Sequence, residues 1–158
     1  MPPPLLIELD AIDLDSVCLT QDQIYAYLPH RHEFMLLQGV CHLDQPGGVA
    51  VGYCDLREGD WWFRGHVPGR PLLPGVLMLE MAAQMAALLA KLGGEPEGFV
   101  AFGGVDGCKF REALRPGSRL YLICVVREIR PRRICADVQG VTDGRLIFEA
   151  RITGLVMR

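Results

Sequence analysis

The chain has 158 residues, half of them hydrophobic and 22% charged, which suits one soluble globular domain spanning 1–158 with a real core. A formal net charge of -3 argues against nucleic acid as the main partner, because phosphate binding usually needs a basic surface.

Residues 1–19 read as a loose lead-in, a proline run followed by Glu8, Asp10, Asp13 and Asp15 among aliphatics. Without a basic n-region this stretch does not read as a secretory signal. No apolar stretch of membrane-spanning length runs uninterrupted. A helix is expected from Thr20 as N-cap, with Ile24, Tyr25 and Leu28 on one side and Pro29 ending it. Phe34 to Leu43 reads as a strand, Gln45-Pro-Gly-Gly48 as a turn, and Val49 to Leu56 as the returning strand. The segment 61–74 is dense in Pro, Gly and aromatics and should be an ordered loop.

From Val76 to Ala90 only Glu80 and Gln84 are polar. Ala, Leu and Met favour a helix, and apolarity on all sides predicts a buried one, stopped by Gly93-Gly94. Strand-like runs follow at Phe99–Phe110, 119–129, 133–141 and 146–157, with turns at Arg115-Pro-Gly117, Arg130-Pro131 and Thr142-Asp-Gly144. One buried helix and five or six strands joined by hairpins predict an α+β architecture, an antiparallel sheet wrapped around a long central helix. Cys18, Cys41, Cys54, Cys108, Cys124 and Cys135 form no C-x-x-C pair, and no asparagine offers a glycosylation sequon. These features predict reduced thiols and a cytoplasmic protein.

Three features carry chemistry. A carboxylate on a buried helix is expensive, and desolvation should raise the pKa of Glu80 toward that of a general acid. Gln84, one turn on, shares its face; the two residues equally suit a polar seam at a subunit interface. His66 sits among glycine and proline in Arg64-Gly-His-Val-Pro68, a setting that restricts the backbone of a natural base, although a lone loop histidine is more often structural. Pro74-Gly75 opens the apolar helix, whose free N–H groups suit a carbonyl oxygen gaining charge; alone, Pro-Gly is simply a helix start. No G-x-S-x-G elbow or Walker pattern occurs. His30-Arg-His32 lacks a second ligand pair at zinc spacing, so neither metal nor cofactor is expected.

The run from Trp62 to Gln84 resembles the signature of the 3-hydroxyacyl-acyl-carrier-protein dehydratases, F-F-x-G-H-F-P-G-x-P-x-x-P-G-V-L-x-x-E-x-x-A-Q. Leu28-Pro-His-Arg31 upstream, and Phe102-Gly-Gly-Val-Asp106, Lys109-Phe110 and Pro116-Gly117 downstream, extend the likeness to roughly residues 20–155. The resemblance implies a hot-dog fold in a homodimer, or a trimer of dimers, with the base and acid of one site coming from different subunits. His66 would take the proton alpha to the thioester carbonyl and Glu80 would protonate the leaving hydroxyl. Gly75 would supply the oxyanion N–H, with Val76 and Gln84 beside the substrate. The substrate would be an acyl-carrier-protein or coenzyme A thioester. Arg130, Arg132 and Arg133, with Arg127, form the densest basic cluster; they suit an acidic carrier protein or simply a solvated turn. The sequence departs from the family at Gln38-Gly39, at Glu33, at Val67, and at Ala101, where many members have a tyrosine. A hot-dog thioesterase and a non-catalytic acyl- or carrier-binding module are the other functions these residues suit.

Overall fold

The computed structural model describes residues 1–94 and 97–157. After a 3-10 turn at Leu9–Ala11 come β1 (Leu19–Thr20), α1 (Gln21–Tyr27), a second 3-10 turn at His32–Phe34, β2 (Gly39–Asp44) and β3 (Val49–Asp55). Then follow α2 (Gly75–Leu92), β4 (Phe99–Phe110), β5 (Arg119–Arg130), β6 (Arg133–Thr142) and β7 (Arg145–Met157). All strands join one sheet in the order β1-β2-β3-β5-β6-β7-β4, every pairing antiparallel. Its inner face wraps α2, which packs on β5, β6 and β7. This is the expected hot-dog arrangement.

Local chemistry explains the elements. Thr20 caps α1 with a full capping box: its hydroxyl accepts from Gln23 N–H while the Gln23 side chain takes the Thr20 N–H. In α2, Met81, Ala82, Gln84, Met85, Leu88 and Leu89 are buried against Leu120, Leu122, Ile147 and Phe148 of the sheet. The helix is long and apolar enough to cross a membrane by length and composition, but it is mostly buried inside this fold. It is not buried on every side as its composition suggested. Val76 is 72% exposed, and Leu79, Glu80 and Ala83 are only partly covered. The edge strand β4 likewise exposes Phe99, Phe102, Val105 and Phe110 beside Leu155 and Met157 of β7. Apolar surface thus lies open along one flank of the chain.

Two further expectations need correction. The strand predicted from Phe34 begins only at Gly39. Side chains take the backbone groups that a ladder would use: the Gln21 amide donates to Met35 O and Leu37 O, and Leu37 N–H donates to the Tyr25 hydroxyl. The start of the chain is also not loose. Leu5, Leu6, Ile7, Leu9, Ile12 and Leu14 pack on an outer-face cluster of Cys41, Val51, Ile123, Val141 and Leu146. Gln139, 5% exposed, ties this cover down: its oxygen accepts Leu6 N–H at 2.7 Å and its amide donates to Pro4 O at 3.1 Å.

Candidate active site

Glu80 sits in the second turn of α2, at the wall of a cavity of about 230 Å³ lined by His30, Ala83, Gln84, Ala101, Phe102 and Ile152 among others. Its Oε1 accepts the Gln84 Nε2–H at 3.0 Å and lies 3.3 Å from His30 Nε2. Gln84 is fully buried and has its remaining valences filled. Its Oε1 accepts the Tyr25 hydroxyl at 2.6 Å, and its Nε2 also donates to Phe34 O at 3.0 Å. Burial pushes the Tyr25 phenol well above its usual range, so it remains a neutral donor.

The expected rise in the Glu80 pKa is not found in the single chain. The carboxyl lies below its ordinary value, chiefly because of the hydrogen bond from His30 and also that from Gln84; burial pushes the other way and loses. The carboxylate is half-buried rather than engulfed, so the desolvation assumed from helix composition is only partial.

His66 lies in the loop between β3 and α2. Trp62 and Phe63 anchor this loop in the core, with Trp61, Trp62 and Phe63 in successive edge-to-face contacts. The loop is knitted by its own backbone: His66 N–H donates to Trp62 O, Leu72 N–H to His66 O, and Val67 and Arg70 exchange two bonds. The His66–Val67 peptide is cis. The exposed imidazole has Nδ1 at 2.8 Å from Leu72 O. A carbonyl oxygen only accepts, so Nδ1 carries the hydrogen and Nε2 presents a lone pair outward. His66 does not line the cavity that holds Glu80: one chain presents the two side chains at separate places.

At the start of α2, Leu77 and Met78 N–H both return to Pro74 O, which leaves the Gly75 and Val76 N–H groups at the open end of the helix. A Cβ on Gly75 would lie 3.0 Å from the Phe110 ring, so glycine lets β4 close over this turn. The arginines of the β5–β6 turn are partly paired. Arg127 contacts Asp137, and Arg130 and Arg133 contact Glu128 at 2.7 and 3.9 Å.

The unusual residues before β2 have structural reasons. Gln38 bridges to the end of β3, donating to Asp55 O and accepting Asp55 N–H. Any side chain at Gly39 would strike the Tyr53 hydroxyl, 2.5 Å from a Cβ. Ala101 lines the wall of the cavity beside Glu80. Sequence reasoning missed His30 as a partner of Glu80, since the spacing of His30-Arg-His32 raises only the question of a metal. The place of His30 directly after Pro29 in the upstream segment was the available signal.

Comparison with known proteins agrees with this geometry. Residues 28–151 match the FabA-like domain. The 3-hydroxyacyl-[acyl-carrier-protein] dehydratase FabZ of Bacillus subtilis (strain 168) is 34% identical over 138 residues, covering 85% of this chain and 96% of that protein. Among solved structures, the dehydratase heterocomplex ApeI:P from Xenorhabdus doucetiae superposes with a TM-score of 0.72 at 17% identity, covering 85% of this chain and 91% of that one. A hypothetical thioesterase with coenzyme A from Streptococcus pneumoniae TIGR4 gives 0.59 at 11% identity, covering 84% and 89%. Matching over most of its length, with the helix, sheet and loop in their expected places, the chain belongs to the FabA-like domain family.

Proposed function

We propose that the chain dehydrates 3-hydroxyacyl thioesters on acyl-carrier protein to trans-2-enoyl thioesters, as a cytoplasmic enzyme of fatty-acid or related acyl-chain biosynthesis. The observation that carries the reading is the condition of two groups. An imidazole is tied at Nδ1 and open at Nε2, and a carboxylate is tied at Oε1, in a chain 34% identical to an acyl-carrier-protein dehydratase.

In this reading His66 Nε2 takes the proton alpha to the thioester carbonyl. The electron pair left on carbon moves toward the carbonyl oxygen, which the Gly75 and Val76 N–H groups receive at the positive end of α2. As the β C–O bond breaks, Glu80 gives a proton to the departing hydroxyl, which leaves as water. General acid–base help of this kind is worth about 10²–10⁴-fold, and an oxyanion donor about 3 kcal/mol. Ionised Glu80 must gain its proton as the site closes, when further desolvation opposes the bonds from His30 and Gln84.

Closure requires a second copy of the chain. His66 lies outside the Glu80 cavity, while Val76, Phe99, Phe102 and Phe110 stand exposed on the flank that a partner would cover. A homodimer, or a trimer of such dimers, would set His66 of one protomer against Glu80 of its partner. Carrier docking falls to Arg130, Arg132 and Arg133. Exposed ion pairs of the Glu128 kind are weak, and three arginines against one glutamate keep that turn positive for an acidic carrier protein.

The test is an absorbance assay for the conjugated enoyl thioester with 3-hydroxyacyl-carrier protein, comparing wild type and His66→Ala. Enoyl formation that disappears with His66 is the expected result. A folded protein that forms no enoyl product, but frees thiol from acyl-coenzyme A, would be a thioesterase instead.

A further inference from the structure

We propose that His30 is a positioning residue for Glu80: with Gln84 it pins Oε1, leaving Oε2 as the oxygen that meets the substrate hydroxyl. The inference rests on the dehydratase reading and adds to it a residue and an atom. Two nitrogens, His30 Nε2 at 3.3 Å and Gln84 Nε2 at 3.0 Å, converge on the same carboxylate oxygen. Neither engages Oε2, and Glu80 stands in the wall of a cavity that it shares with Ala83, Ala101 and Phe102. A carboxylate held by two donors on one oxygen is fixed in its rotation about the last side-chain bond. Its proton must then reside on the other oxygen, because the lone pairs of Oε1 are already engaged.

The orientation of His30 is itself built. The Arg31 guanidinium gathers the backbone on which His30 rides, with Nη1 donating to Tyr25 O at 3.0 Å, Leu28 O at 2.9 Å and His30 O at 2.7 Å. The Tyr25 ring meets the imidazole edge-on, 6.4 Å between centroids. The His30 Nδ1 atom is buried and has no hydrogen-bond partner among the described residues. An imidazolium would bury an unpaired N–H there, whereas the neutral ring with its hydrogen on Nε2 buries only a lone pair, the smaller cost. The donor to Glu80 is thus the His30 Nε2–H. The charged and titratable groups around the pair are Tyr25 of α1, Arg31 beside it, and Lys91 of α2, which lines a cavity together with His30; the proposed dimer adds the second protomer's His66.

Removing His30 leaves Glu80 held by Gln84 alone and free to swing. Loss of a donor to the charged form raises the carboxyl pKa, so the limb of the kcat/KM profile that Glu80 governs moves to higher pH. For His30→Ala the expected result is a fall in kcat of about 10- to 100-fold, the scale of a misplaced reacting group, with KM little changed. His30→Gln, which keeps an N–H donor but cannot titrate, should recover most of kcat and return that limb toward wild type. A carbon-13 titration of the Glu80 carboxyl reads the same contact without any turnover and should move upward in His30→Ala. Melting curves identify a variant that fails to fold, and the titration is then read on His30→Gln and His30→Asn. An active enzyme whose kcat and pH profile ignore His30→Ala overturns the proposal, as does a Glu80 titration that His30 does not move. A wild type without dehydration overturns the dehydratase reading instead, while the carboxyl titration still decides the His30 contact.

Discussion

His66 and Glu80 are held in opposite ways. His66 is fixed within its own segment: Leu72, six residues on, takes its Nδ1–H, and every backbone bond that shapes its turn closes within residues 62–72. Glu80 is fixed from afar, by His30 fifty positions earlier and through Gln84 by Tyr25, itself fifty-nine positions before Gln84. The loop is thus a self-contained device. The acid site is an assembly between α2 and the α1 segment, and it exists only once those elements have docked.

The largest test of that contrast is to separate the two groups genetically. His66→Ala and Glu80→Gln should each lower dehydration by about 10²–10⁴-fold. Both should leave the melting temperature nearly unchanged, since the amide introduced by Glu80→Gln keeps an acceptor for His30 and Gln84. Mixing the two variants should restore about a quarter of wild-type activity if each site of a twofold dimer draws one group from each protomer. No recovery after subunit exchange would place both groups in one chain's site. Next in size is Gly75→Ala. The added methyl presses on a Phe110 ring that is half exposed and can yield, so stability should fall by less than about 1 kcal/mol. Turnover should fall further, because the methyl stands at the helix end proposed to receive the carbonyl.

A smaller effect is expected away from the site. Gln139→Ala removes both bonds that hold the N-terminal cover, at about 1 kcal/mol each, and should lower the melting temperature with kcat intact. The smallest concerns acid pH. Asp137 is held below the ordinary carboxylate range first by Arg151 and then by Arg127. Its folded pKa is depressed, so its contribution is present above the unfolded value and is lost as pH falls through the folded one. Asp137→Asn should therefore flatten the acid-side fall in stability, with little change at neutral pH because these pairs are largely solvent-exposed. A thermal-melt series across pH would read it.

The same contrast explains what the sequence made legible. Locally encoded features were readable: the Thr20 cap, the glycines that stop α2, the hairpins of β5 to β7, and the loop around His66. Features set by distant packing were not. The run from Phe34 to Leu37 looks like the start of a strand until Tyr25 and Gln21 claim its backbone groups. Leu5 to Leu14 looks like an idle lead-in until the outer face of the sheet proves apolar. The lowered Glu80 pKa depended on His30, whose approach no periodicity encodes. Apolarity around α2 was real, but it marks two kinds of cover, the sheet of the same chain and the flank left open.

The N-terminal cover also has a consequence for the order of folding. Its seat combines Cys41 and Val51 with Ile123, Val141 and Leu146, and its two tethers span 133 and 135 positions, so this segment has no complete seat until residues as far as Leu146 have been made. Contacts of such separation form slowly because loop closure precedes any reward. Until then Leu5, Leu6, Ile7 and Leu9 lack most of their cover. The proline run before them and the acids among them are residue types that resist strand pairing with a neighbouring chain during that wait.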